Sequence, residues 1–176
     1  MLELRLLEDT DFNLVEKWLN KEHVKRWYEI PRLGITIDNW MSEIKEYREK
    51  YSWITYFIVL LDDYPIGFCL YYRCIDSNEE YGSLPIDGSY GIDYFIGEEA
   101  YVGKGLGKQM VTMLTNKVFS ILDAQIVTAD IDPNNNASKQ TLLACGFTLV
   151  DEGGSRYMIK KQILSDHALY LQGDIF

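Results

Sequence analysis

Residues 90–110, YGIDYFIGEEAYVGKGLGKQM, hold the reading that decides the fold. The first eight are rich in aromatic and β-branched side chains and read as a strand. Gly103, Gly105 and Gly107 follow at every second position, with Lys104 among them and Lys108 behind, and Met110, Val111, Leu114 and Val118 then recur on one face of a helix. Strand, bare turn and helix start thus come in that order. A glycine has no Cβ, so the turn can bring several amide N–H groups to one spot. The helix dipole adds about half a positive charge there, and a diphosphate fits. The amides from Gly103 to Lys108, Leu106 included, are the expected donors, with the lysine ammonium groups at the rim. If the glycines served only a tight turn, one would suffice.

Counting excludes two phosphate-binding patterns. A Walker loop needs a glycine at position 102, which is valine, and Ser or Thr at 109, which is glutamine. A dinucleotide fingerprint from Gly103 or Gly105 would place its third glycine on Lys108 or Met110.

Outward from this segment, residues 2–7 read as a strand and 13–20 as a helix, followed by a turn at 29–34 and a second amphipathic helix over about 38–49. Two apolar runs, 53–61 and 64–73, are split by Asp62 and Asp63 and form an antiparallel hairpin. Residues 76–90 have no periodicity and form a long loop of the kind that carries function. Beyond the central helix come a strand at 124–131, a short helix at 134–145 stopped by Gly146, a strand at 147–150, and a last strand after the Gly153–Gly154 turn. One domain over 1–161 with a tail over 162–176 is expected.

The 176 residues are 47% hydrophobic, which suits a folded domain rather than a disordered chain. A formal charge of -10 argues against a nucleic-acid partner and suits a cationic one. Cys69, Cys74 and Cys145 lack metal-ligand spacing, so no metal is expected. Charge from the third residue does not read as a signal peptide, and no apolar run approaches the roughly 18 residues of a membrane span. A cytoplasmic protein without a membrane partner is expected, as monomer or homodimer. His23 and His167 are isolated and read as surface or core positions.

With these residues in view, the chain resembles the GCN5-related N-acetyltransferases. Their coenzyme loop, Q/R-x-x-G-x-G/A, is matched by Gly105 and Gly107, with Val102 where Gln or Arg is usual; NNASKQTLLACGF, 135–147, is similar to their second signature. Among them the chain resembles most the aminoglycoside 6'-N-acetyltransferases, through KWLN at 17–20, WY at 27–28, YPIGF at 64–68 and GIDYFIGE at 91–98, with Tyr94 where that pattern has Gln. The resemblance implies an α+β fold: a mostly antiparallel twisted sheet of six to seven strands with helices on both faces. It implies acetyl-CoA as co-substrate, its diphosphate on the glycine loop and its pantetheine arm beside Asn135 and Ser138. The thioester carbonyl would face a backbone N–H near Phe95 or Ile96, where two strands splay.

The implied reaction is acetyl transfer to the amine of a small polyamine such as an aminoglycoside. The alternatives are a protein N-terminus, a siderophore or metabolite amine, and a coenzyme-binding protein without turnover. Asp93 is implied near the incoming amine, as a base or an orienting group. Trp27 and Tyr28, in the 26–31 turn, would stack on the acceptor, while Glu79, Glu80 and Asp87 of the long loop would hold its further amines. The tyrosine that many members carry seven residues after the signature Asn is Leu142 here.

Overall fold

The computed structural model describes residues 1–79, 81–121, 123–152 and 155–161. Glu80, the Gly153–Gly154 turn, His167 and the expected tail lie outside them. Seven strands of the described residues form one sheet: β1 (Leu2–Leu6), β2 (Ile54–Leu61), β3 (Tyr64–Arg73), β4 (Ser89–Ile96), β5 (Ile126–Asp130), β6 (Thr148–Glu152) and β7 (Ser155–Lys161), in the order β1-β2-β3-β4-β5-β7-β6. Every pairing is antiparallel except β4 with β5. The β2–β3 turn is tight because Asp62 and Asp63 both take left-handed backbone, φ 48° and 65°, matching the twist of the arms.

Among the described residues five α-helices cover the two faces: α1 (Phe12–Leu19), α2 (Glu22–Tyr28), α3 (Ile37–Lys45), α4 (Leu106–Phe119) and α5 (Asn136–Ala144). Strand alternation divides the core between them. Phe57 and Val59 of β2 and Tyr90 and Ile92 of β4 pack with Met110, Leu114 and Leu142 on the α4–α5 face. Tyr56 and Ile58 of β2 and Phe95 of β4 pack with Trp18, Val24, Met41 and Ile44 on the α1–α3 face. Among the described residues no helix is long and apolar enough to cross a membrane.

Two expectations change. Residues 22–28 form a helix, so Trp27 and Tyr28 sit on its last turn and not in a loop; Lys21 turns extended (ψ 135°) and breaks the chain away from α1, and Val24 and Tyr28, four apart, mark the buried side. The next helix stops at Lys45, short of Glu49; Thr36 caps its start, its hydroxyl accepting the Asn39 N–H at 3.3 Å.

The parallel pairing of β4 with β5 lasts only from Ser89↔Ile126 to Gly91↔Thr128. Gly88 O accepts the N–H groups of Gln125 and Ile126 at 2.7 and 3.1 Å and ties the closed end. Beyond Gly91 the strands part, and a wedge opens toward Ile96.

Candidate active site

Gly97 N–H donates to Ile66 O at 2.8 Å. With the unbroken β3–β4 register, this turns the odd residues of β4 toward β3 and leaves the N–H and C=O of Ile92, Tyr94 and Ile96 facing the wedge. Of the two expected carbonyl donors, Ile96 therefore points outward, whereas the Phe95 N–H lies in the β3–β4 ladder and the Phe95 ring packs against Phe68, Tyr28 and Trp18. His23, expected to be incidental, donates from Nε2 to Ile96 O at 3.0 Å. Just beyond β4, Glu98 accepts from Trp18 Nε1 at 2.7 Å and from Lys21 Nζ at 2.8 Å, which fixes the wedge's outer strand to the α1–α2 corner.

A cleft of about 1250 Å³ runs from the glycine turn, through the wedge, to the α2–α3 side of the sheet. At the turn, Gly103 and Gly105 have φ of 77° and 76°, and a Cβ built on either meets nothing within 4 Å. The glycines thus answer to conformation and to open space, not to crowding. Gly105 is the N-cap of α4 and offers no side chain, and the N–H groups from Gly103 to Lys108 donate to no described residue. Their partner has to come from outside, and an anion meets that need. Leu106 anchors the first turn in the core while its N–H stays outward. Lys108 lines the cleft, whereas Lys104 lays its ammonium 5.4 Å from the centre of the Tyr101 ring. Asn135 caps α5, its Oδ1 accepting the Ser138 N–H at 3.1 Å, and both residues line the same cleft.

Asp93 leaves β4 on the α1–α3 face. Its Oδ1 accepts from the Tyr28 hydroxyl at 2.5 Å and from the Tyr94 N–H at 2.7 Å. Burial raises its carboxyl to about 6, the two hydrogen bonds oppose that rise, and Glu43 and Glu79 add to it. Tyr28 is not an open platform: it is buried, its ring meets Trp40 and Phe95 edge-on, and its hydroxyl bonds Asp93. Burial, then Asp93, pushes that hydroxyl well above its ordinary range, so it stays a neutral donor.

Trp27 lines the cleft with Arg26 5.0 Å over its ring. Glu79 lines it too, accepting from Tyr72 at 3.0 Å and Tyr81 at 2.9 Å. Asp87 does not: it is exposed and precedes Ser89 at the closed end of the β4–β5 pair, so the expectation for it is corrected. Glu43, Asp130 and Asp132 line the cleft and were not anticipated. Asp130 and Asp132 stand where β5 leaves the sheet, a place that strand order alone could have flagged; Glu43 stays on α3 without a local signal. Glu43 and Asp130 are both raised from their usual range, first by desolvation and then by neighbouring carboxylates. This clustering of acids suits a ligand with more than one positive charge. Among the described residues no group of three or more side chains is placed to hold a metal ion.

Residues 8–154 match the acetyltransferase (GNAT) domain family. The aminoglycoside N(6')-acetyltransferase type 1 of Klebsiella pneumoniae is 24% identical over 163 residues, 89% of this chain and 81% of that protein. The structure of the aminoglycoside acetyltransferase AAC(6')-Ib in complex with coenzyme A and kanamycin superposes with a TM-score of 0.78 at 24% identity, over 92% of this chain and 95% of that one. An uncharacterized protein from Bacillus halodurans superposes with a TM-score of 0.76 at 19% identity, over 92% and 84%.

Proposed function

This chain belongs to the GNAT acetyltransferase family, and from that premise we propose that it transfers the acetyl group of acetyl-CoA to a primary amine of an aminoglycoside or a polyamine of that kind. One observation carries the reading: a single cleft holds an unpartnered amide cradle at one end and clustered carboxylates at the other, with the β4–β5 wedge between them. The relatives' complexes with coenzyme A and kanamycin support both ends of it.

In this mechanism the amides of Gly103 to Lys108 hold the diphosphate, and the pantetheine arm runs past Asn135 and Ser138 into the wedge. The thioester oxygen takes the outward Ile96 N–H, a preorganised donor of the kind worth about 3 kcal/mol in the transition state. Asp93 holds the acceptor amine as an ammonium, water in the cleft carries that proton to solvent, and the neutral amine left beside Asp93 is directed toward the carbonyl. A carboxyl near 6 is a weak base toward a free ammonium of about 9, a gap near 4 kcal/mol. Once a neutral amine attacks, however, its nitrogen turns acidic as the C–N bond forms, and Asp93 can then accept the proton. Glu43, Glu79 and Asp130 hold the remaining charges of the acceptor, and Trp27 closes the pocket.

The test is a panel of aminoglycosides, peptides with free N-termini, hydroxylamines and simple diamines, each incubated with acetyl-CoA and read by mass spectrometry. A monoacetylated aminoglycoside supports the reading. Acetylated peptides alone, or no acetylated product, overturns the assignment of the acceptor.

A further inference from the structure

Acetyl transfer needs a proton for the departing sulfur, and the position where the resemblance expects a tyrosine holds Leu142. That residue has no exposed surface and belongs to the α4–α5 core, so nothing there reaches the cleft. The geometry points to Tyr94 as the group that protonates the leaving thiolate, an inference that rests on the acetyl-transfer reading above.

The first support is the side of the strand. Asp93 and Tyr94 are consecutive on β4, so their side chains leave opposite faces. Asp93 meets Tyr28 on the α1–α3 face, while Tyr94 packs toward the α4–α5 core. The amine and the sulfur would thus meet the carbonyl from two sides of one strand, each beside its own proton-transfer group.

The second support is where the hydroxyl lies. Tyr94 OH is 2.8 Å from Ser138 Oγ and 3.4 Å from Ser138 O, in the first turn of α5. That turn flanks the route from the α4 amides to the wedge, which the coenzyme arm has to follow.

The third support is that the other tyrosines of the cleft are placed elsewhere. Tyr28 donates to Asp93, and Tyr72 and Tyr81 bond to each other and to Glu79. Tyr101 sits at the glycine turn, with its ring against Tyr64 and Lys104. Among the described residues lining the cleft, Tyr94 alone brings a phenol to the α5 flank.

The amine lone pair forms the C–N bond, the carbonyl π pair moves to oxygen, and the amine proton passes to Asp93. Collapse of the tetrahedral intermediate re-forms the C=O and breaks the C–S bond, whose electron pair leaves with sulfur. The sulfur takes the Tyr94 phenolic proton, and the Ser138 hydroxyl relays a proton from solvent to restore it. Asp93 returns its own proton to solvent, and the products are the amide and the free thiol.

Two variants of the full chain test this. Tyr94→Phe keeps the ring and removes the proton: kcat is expected to fall about 10²-fold with coenzyme and acceptor binding unchanged. Replacing Tyr94 by difluorotyrosine keeps the shape and makes the phenol more acidic, so the high-pH limb of kcat is expected to move to lower pH. Full kcat in Tyr94→Phe, parallel loss of kcat and coenzyme binding, or an unmoved limb in the difluorotyrosine protein each overturns the inference. In all three the unaltered protein still acetylates its amine, so the functional reading survives. If the unaltered protein acetylates nothing, that reading fails and takes this one with it.

Discussion

The Tyr28 hydroxyl donates to Asp93 Oδ1 at 2.5 Å, and Trp40 Nε1 holds the Tyr28 carbonyl at 2.8 Å. The wedge carboxylate is thus oriented from α2 and α3, on the opposite side of the sheet from the glycine cradle. The bond also opposes the burial that raises Asp93 to about 6. In Tyr28→Phe that opposition is gone, and the carboxyl rises further. A hydrogen bond to a charged group is worth about 1.5–3 kcal/mol, so the low-pH limb of kcat/KM is expected to move up by roughly one unit or more. A pH–rate profile of the two proteins checks this.

Asp93→Asn keeps an acceptor for both hydrogen bonds and removes the charge. Turnover is expected to fall at least about 10²-fold with coenzyme affinity unchanged. Stability should move the other way. The folded chain binds the Asp93 proton more tightly than the unfolded chain, at about 6 against 3.8, so the stability this group contributes is full below about pH 4 and is lost as pH rises through 6. At pH 8 the loss is about 2–3 kcal/mol. Urea unfolding should therefore find Asp93→Asn more stable than the parent at pH 8 and equal to it near pH 3.

Gly107 separates coenzyme binding from folding. It lies inside α4, and a Cβ there meets only Thr141 at 3.8 Å, an ordinary contact. Gly107→Asp is expected to leave the fold intact or stabilise it by up to about 1 kcal/mol, because a carboxylate suits the first turn of a helix. Its negative charge repels a diphosphate at the same amides, so coenzyme affinity is expected to fall about tenfold or more, a loss near 1.4 kcal/mol. Thermal unfolding and a coenzyme titration on the same sample separate the two effects.

Glu79→Gln keeps hydrogen-bond acceptors for Tyr72 and Tyr81 while removing one charge from the acidic wall. The acceptor KM is expected to rise about fivefold for a multiply charged amine, about 1 kcal/mol, and less for a monoamine. Added salt should shrink the difference. Initial rates at two ionic strengths check it.

Much of this was legible in the sequence because the signals were local. The Asp62–Asp63 pair between two apolar runs announced a hairpin, and Gly103, Gly105 and Gly107 before a helical stripe announced the cradle. The second helix was missed because Glu22–Tyr28 has only seven residues and two buried positions, too few for a periodicity to stand out. The wedge is a matter of register: nothing in residues 92–96 says that β5 has already turned away. For the same reason Glu43 and Asp130, far from Asp93 along the chain, could not be joined to it before the elements were assembled. Tyr28 was anticipated at the site but in another capacity, since which part of an aromatic side chain faces a cleft is decided by what packs on the rest of it.

The most direct test of the account is a calorimetric titration of the full chain with acetyl-CoA and with CoA. Binding of one coenzyme per chain, with heat that inorganic pyrophosphate competes away and that Gly107→Asp weakens, is the predicted result. No heat with either form at millimolar concentration would contradict it, because the unpartnered amides between Gly103 and Lys108 would then have no coenzyme to hold.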